Sequence, residues 1–251
     1  MDETALGQAV ACLLEARQTG RKIAALPEGC HPHNALDAHG IQDRTIDALG
    51  ETVAGWKVGA PSGGVVVRGA ILQSRLFTSP AVVPAALTPL LGVEPEIAFR
   101  FDQALPAREY AYDRDEIAAA VTAFLAIEIV DSRFAGYPDL PDQDKNADFV
   151  SNGGLVVGPD VPNWQSVDLV NLSVKVTVGD EVVADVVGGH PRTDPLIPAI
   201  ELANQFRTEG GVAAGKVMTT GSYCGLKPGR ADVPITAAFA DLGKVELRFQ
   251  S

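Results

Sequence analysis

Residues 124–130 read FLAIEIV, and six of these seven side chains are apolar. Successive side chains of a strand point to opposite faces, so this segment is apolar on both. Such a strand is stable only when both faces are covered, which makes it a central strand with further layers over it. Glu128 is the exception. A lone ionised carboxylate in that position costs several kcal/mol after relaxation. It needs a cation beside it or a raised pKa.

A second stretch poses the same problem. In GVEPEIAFRF, residues 92–101, strand alternation puts Glu94 and Glu96 on one face. Val93, Pro95, Ile97 and Phe99 fall on the other. Two like charges side by side push one pKa up or one side chain into water, unless something positive lies between them. Glu94, Glu96 and Glu128 together are carboxylates on strands, with no histidine or cysteine close in sequence. That set suits a hard, oxygen-preferring ion, Mg²⁺ or Mn²⁺ before zinc. Two readings stay open beside it: a solvated face for Glu94 and Glu96, and a buried salt bridge from Glu128 to a lysine or arginine. Lys57 in VAGWKVGAP, 53–61, is either such an ion-pair partner or a compact charge that binds an anionic substrate near the metal.

The remaining pattern organises the chain. Leu6, Val10, Leu13 and Leu14 recur at helical spacing and stop at Gly20; residues 34–49 form a second helix ended by Gly50. Between them, LPEGCHPHN holds His31 and His33, which with Glu28 could form a lid over a site. From 53 to 101, short apolar runs broken by Gly and Pro read as strands. Asp113 and Glu116 have capping-box spacing, opening a helix over about 114–123 that runs into the central strand. Residues 135–147 read as a loop. LSVKVTVGDEVVADVVGG is a hairpin turning at Gly179-Asp180. Asp194-Pro195 caps a helix to about Phe206, and KVMTTGS and KVELRF are again strands. SNGG, 151–154, and TTGSYCG, 219–225, read by themselves as turns. His190 reads as a structural loop histidine, and Cys224 lacks an activating partner. Strands do not alternate regularly with helices, so the expected class is α+β with a mixed or antiparallel core. The expected organisation is a helical N-terminal segment, 1–50, and a β-rich catalytic domain, 51–251.

Charge and cysteine usage exclude other classes. The 251 residues carry a formal net charge of −12 and no Lys/Arg cluster in sequence, the opposite of a nucleic-acid-binding footprint. The partner is a small molecule or another copy of the chain. Cys12, Cys30 and Cys224 are an odd set without CxxC spacing, against a disulfide framework or structural zinc. No apolar run reaches a membrane span, and the acidic start lacks signal-peptide character. The expected location is the cytoplasm.

Taken together and in order, LLEARQTGRKIA, GWKVG, VEPEIAF, AIEIVDSR, SNGGLVVG, GGHP, LAN, TTGS and LGKVELRF resemble the fumarylacetoacetate hydrolase superfamily. The similarity is to its branch of 2-oxopent-4-enoate hydratases and 4-oxalocrotonate decarboxylases. The resemblance implies a central mixed β-roll with flanking helices, and homo-oligomers built from dimers. It implies that Glu94, Glu96 and Glu128 bind the divalent ion, and that Lys57 binds the acid or polarises its bound oxygen. Thr220 and Ser222 would line the substrate pocket. The implied chemistry is that of a lyase acting on a 2-oxo acid or its enol through a metal-stabilised enolate. Hydration of a 2-hydroxy-2,4-dienoate is expected. The alternatives are decarboxylation, C–C hydrolysis, or a non-catalytic homologue that keeps the 2-oxo acid pocket.

Two departures stand out. Val67 falls where the branch carries an acidic residue, and Phe149 stands in place of Asn in DFVSN, which keeps Asp148 and Ser151. The metal half of the site is intact while the proton-handling half is altered. Arg68, beside the missing acid, is expected to bind a second substrate carboxylate, and Ser151 to contact substrate.

Overall fold

The computed structural model describes residues 1–59 and 64–251. Residues 60 and 61, which close the strand-like stretch around Lys57, lie outside the described residues.

The sheets are mixed, as the α+β reading expects. The larger runs in the order β2 (Arg68–Leu72), β1 (Val53–Val58), β12 (Val217–Thr219), β5 (Gly92–Phe101), β7 (Val121–Val130), β8 (Asn152–Asp160) and β3 (Leu76–Thr78). A short β13 (Lys227–Pro228) pairs with the start of β5. The β1–β12 and β3–β8 pairs are parallel and the other pairs antiparallel. The second sheet runs β10 (Glu181–Val187), β9 (Ser173–Val178), β14 (Pro234–Phe239), β15 (Gly243–Gln250) and β4 (Ala81–Pro84). β6 (Leu105–Pro106) and β11 (Gly211–Val212) form a small separate pair.

β7 is the central strand that its sequence demands. It pairs with β5 and β8, and residues 123–130 are buried at every position. One face, with Leu125, Ile127 and Ile129, joins Val93, Ile97 and Phe99 of β5 and Val174, Val176, Phe239 and Leu247 of the second sheet in the main core. The other face carries Phe124 and Ala126, packed with Ala98, Ile71, Leu155 and Val217. Glu128 belongs to this second face.

Helices close the remaining surfaces. α1 (Glu3–Thr19) starts where Asp2 Oδ1 accepts from Ala5 N at 2.8 Å and ends at Gly20 with φ 70°. α2 (Ala35–Leu49) is capped by Asn34 and ends at Gly50. Both pack their apolar faces on Phe134 and Ala147 from the β-rich part of the chain. α3 (Arg114–Ala120) opens with the Asp113/Glu116 capping box. It stops three residues before the expected 123, because Val121 and Thr122 are already in register with Phe101 and Arg100 of β5. The segment read as a loop over 135–147 ends in a helix, α4 (Asp142–Ala147), which buries Ala147 beneath α1 and α2. α5 (Leu196–Phe206) begins just after Pro195. Pro195, not Asp194, is therefore the residue that flanks the helix start, while Asp194 Oδ1 accepts from Leu196 N at 2.9 Å. No helix among the described residues is long and apolar enough to cross a membrane.

Candidate active site

A gap in a ladder makes the site. β12 pairs with Ala98–Arg100 of β5, and β13 pairs with Gly92 and Val93. Between these contacts, residues 220–226 leave the sheet, so among the described residues β5 has no regular partner on that edge from Glu94 to Ile97. Pro95, which has no N–H to offer a ladder, sits in this interval. Its carbonyl accepts from Tyr223 N at 3.3 Å. Thr220 and Gly221 donate their backbone N–H groups to Glu96 Oε2 at 2.7 and 2.8 Å.

Glu94 is the register partner of Glu128 across β5–β7, and Glu96 lies two residues along the same face. One carboxylate oxygen from each of the three lies within 4.8 Å of the others. Glu96 and Glu128 are both fully buried, so the solvated-face reading fails for Glu96. Glu128 Oε1 accepts from Asn152 Nδ2 at 3.1 Å, and Oε2 from Thr219 Oγ1 at 3.3 Å. Glu96 Oε1 is buried with no hydrogen-bond partner among the described residues.

Lys57 reaches this cluster from β1. A Cβ at Gly55 would lie 1.8 Å from Val217 O, so glycine there is what lets β1 close on β12. That pairing sets Lys57 opposite Thr219. Lys57 Nζ lies 2.9 Å from Glu128 Oε1 and 3.2 Å from Glu94 Oε2. The salt-bridge reading of Glu128 and the carboxylate cluster therefore coexist. Arg133, the arginine five residues after Glu128, instead binds Asp148 and Asp131.

The electrostatics follow from burial. Burial pushes the Glu96 pKa well above the usual carboxylate range, and Glu128 and Glu94 push it further. Burial raises Glu128 too, against the opposing pull of Lys57. Burial alone would discharge Lys57, but Glu128, Glu94 and Glu96 outweigh it and hold the ammonium charged.

Two cavities meet at Lys57. One, of about 370 Å³, is bordered by Glu94, Glu96, Thr220, Ser222 and Arg192. The other, of about 510 Å³, is bordered by Val67, Tyr137, Lys145, Asn146 and Ser151. Ser151 Oγ is buried there without a hydrogen-bond partner among the described residues. A strained turn delivers it: Phe149, Val150 and Ser151 have φ of 57°, 53° and 58°, a left-handed run that costs of order 1–3 kcal/mol per non-glycine residue. Asp148 holds the turn. Its carboxylate accepts from Arg17 Nη2, Arg133 Nε and Arg133 N, each at 2.8 Å. Gly69 makes room, since a Cβ there would lie 2.1 Å from Phe149 O.

Of the residues picked from sequence, Lys57, Glu94, Glu96, Glu128, Ser151, Thr220 and Ser222 come together. Arg68 does not. Its guanidinium turns to α2 and binds Asp43 at 3.1 and 2.9 Å, and it borders neither cavity. Phe149 is buried with Ile46, Ala70 and Leu72, its ring beneath the Arg17 guanidinium at 3.7 Å. Val67 does border the Lys57 cavity, so the missing acid leaves an apolar wall at the site. The loop of His31 and His33 is not a lid over it: His31 Nδ1 binds Asp144 at 2.9 Å and His33 binds Asp37. His190 is buried and neutral, its pKa lowered to about 4 by burial, with Nε2 3.2 Å from Thr220 Oγ1. Sequence reading missed Asn152, Thr219, Gly221 and Tyr137. The first three lie inside SNGG and TTGS, and register alone turns them toward the acids.

No family model matches the chain. It is 29% identical over 260 residues to a protein named 2-keto-4-pentenoate hydratase from Burkholderia vietnamiensis, spanning 99% of this chain and 98% of the relative. The same identity and coverage hold for a 2-keto-4-pentenoate hydratase from Paraburkholderia phymatum. Among solved structures, 4-oxalocrotonate decarboxylase from Pseudomonas putida G7, complexed with magnesium and adipate, superposes with a TM-score of 0.81 at 22% identity. The match covers 98% of this chain and 97% of that one. Fumarylpyruvate hydrolase from Pseudomonas aeruginosa, in complex with Mn²⁺ and pyruvate, gives 0.56 at 11% identity over 78% and 88% of the two chains. The chain is thus similar end to end to proteins named 2-keto-4-pentenoate hydratase, and it shares the fold of 4-oxalocrotonate decarboxylase.

Proposed function

We propose that the chain is a divalent-metal-dependent lyase acting on a 2-oxo acid or its enol, adding water to a 2-hydroxy-2,4-dienoate. The observation that carries this reading is Glu96 Oε1, a buried carboxylate oxygen without a partner among the described residues, beside oxygens of Glu94 and Glu128. An all-carboxylate donor set fits Mg²⁺ or Mn²⁺. Glu94, Glu96 and Glu128 would hold the ion. Once bound, it would supply Lewis acidity to a substrate chelated through its C1 carboxylate and C2 oxygen, stabilising negative charge that develops there.

The protein's own groups do the rest. The amides of Thr220 and Gly221 fix Glu96 in one orientation. Asn152 and Thr219 do the same for Glu128. Lys57 keeps its charge and borders both cavities, so it can bind the acid's carboxylate. Ser151 offers a free hydroxyl, and Tyr137, its pKa raised by burial, offers a phenol that stays protonated at neutral pH. Thr220 and Ser222 border the smaller cavity. The proposal includes assembly into homo-oligomers built from dimers, which sedimentation would measure.

One observation favours a second reading. Val67 puts an apolar side chain beside Lys57 where a carboxylate would be needed as the general base that activates a water. Decarboxylation needs no such water. The deciding experiment measures loss of dienol absorbance from 2-hydroxypenta-2,4-dienoate and CO₂ release from 4-oxalocrotonate, each with Mg²⁺, Mn²⁺ and chelator. Metal-dependent loss of the dienol without CO₂ release supports hydration. CO₂ release alone supports decarboxylation, and turnover unaffected by chelation rules out both.

A further inference from the structure

A separate cavity of about 250 Å³ lies where α1 ends, and it shares no lining residue with the two cavities at Lys57. Its wall is cationic in a chain of net charge −12. Arg17, Lys22, Arg75 and Arg133 line it, together with Asp131.

The acids available here are shared. Asp148 Oδ1 accepts from both Arg17 Nη2 and Arg133 Nε at 2.8 Å. Asp131 faces Arg133 Nη1 at 3.3 Å and, more loosely, Lys22 Nζ at 3.5 Å. Arg75 has no carboxylate within 4.0 Å among the described residues, and its Nη1 donates to Leu87 O at 3.2 Å. Of the two acids that act on it from further away, Asp131 is shared with Arg133 and Lys22, and Glu51 is held by Ser74 Oγ at 2.6 Å. Arg21 at the rim is taken by the exposed Glu15.

Four cations therefore face two carboxylates, an excess of two positive charges. On an open surface water would dissipate that excess. Here Arg17 and Arg133 are largely buried, and Arg17 Nε is enclosed without an acceptor among the described residues. Burial lowers the Arg17 pKa to about 9, and the nearby Arg133 and Arg75 add to the strain. A partner of two negative charges would remove that imbalance, and planar guanidinium groups match the oxygens of phosphate and carboxylate.

We propose that this cavity is a binding site for a small dianionic oxyanion, a phosphate group or a short dicarboxylate, held by Arg75 and Lys22 against the buried Arg17–Arg133 pair. The volume suits a ligand of a few heavy atoms. The site is also tied to the chemistry, because Arg17 and Arg133 grip the Asp148 that holds the Ser151 turn.

The test is calorimetric titration of the metal-free, full-length protein with inorganic phosphate, and in a second arm with succinate, against chloride at matched ionic strength. Saturable binding is expected from at least one. The tighter of the two identifies the phosphoryl or dicarboxylate source. Arg75→Gln should weaken it by about tenfold or more, the loss of one charge-assisted hydrogen bond. Lys22→Gln, at a more exposed position, should weaken it about threefold and decides the matter if Arg75→Gln does not fold. Lys57→Ala should bind as wild type. No saturation beyond chloride, unchanged affinity in the cavity variants, or lost affinity in Lys57→Ala would each overturn the proposal.

Discussion

Glu94 stands directly opposite Glu128 in the β5–β7 register, and Lys57 Nζ bridges the two at 3.2 and 2.9 Å. Like charges facing each other across a ladder are destabilising. One lysine offsets one of them, while Glu96 adds a third acid. The cluster keeps an uncompensated negative charge in a buried place, which a divalent cation would relieve.

Oxalate, a mimic of the chelating end of a 2-oxo acid, should therefore bind only when Mg²⁺ or Mn²⁺ is present. Calorimetry on protein stripped of metal and then reconstituted makes the comparison. Equal oxalate affinity in both states would remove the metal from the site.

Lys57→Ala should cut turnover by about 10²–10³-fold, the loss seen when one charge-stabilising donor is removed. The carboxylates remain, so metal affinity should change far less. Metal titration and steady-state rates on the same preparation separate the two. Unchanged turnover would leave Lys57 as an ion-pair partner of Glu94 and Glu128 and nothing more.

Glu128→Gln tests the cluster against the salt bridge. Lys57 keeps Glu94 as a partner, and one of three crowded charges is gone. The metal-free variant should stay within about 1 kcal/mol of wild type, while the stabilisation on adding Mg²⁺ shrinks. A stranded Lys57 would instead cost about 3–5 kcal/mol with or without metal. That larger loss in chelator, with an undiminished Mg²⁺ increment, would falsify the ligand role.

Acid should destabilise the protein through its buried histidines. Burial, together with the neighbouring Arg68, lowers the His39 pKa from 6.5 to about 4, and its Nε2 accepts from Arg68 N at 3.2 Å. The unfolded chain takes up that proton first, so the contribution is complete above pH 6.5. It falls away as pH drops through about 4, by up to about 3 kcal/mol. Melts across this range should be shallower for His39→Gln. An identical pH profile would mean that His39 does not couple to folding.

The sequence by itself determined the central strand, the helix ends and the identity of the acids. FLAIEIV allows no exposed face, Gly20 and Gly50 end their helices locally, and strand alternation puts Glu94 and Glu96 on one side. Each of these depends on near neighbours in the chain. Only the tertiary structure decided what answers the acids. Lys57 meets Glu128 because β1 pairs with β12, and Asn152 meets it because β8 follows β7 in the sheet. Helix α4 formed where a loop was read because α1 and α2 gave Ala147 somewhere to be buried. Arg68, beside the altered position in sequence, turned away to Asp43 while Val67 stayed at the cavity. Which of two adjacent strand residues faces a site is a matter of register and packing, and those are set by partners far away in the chain.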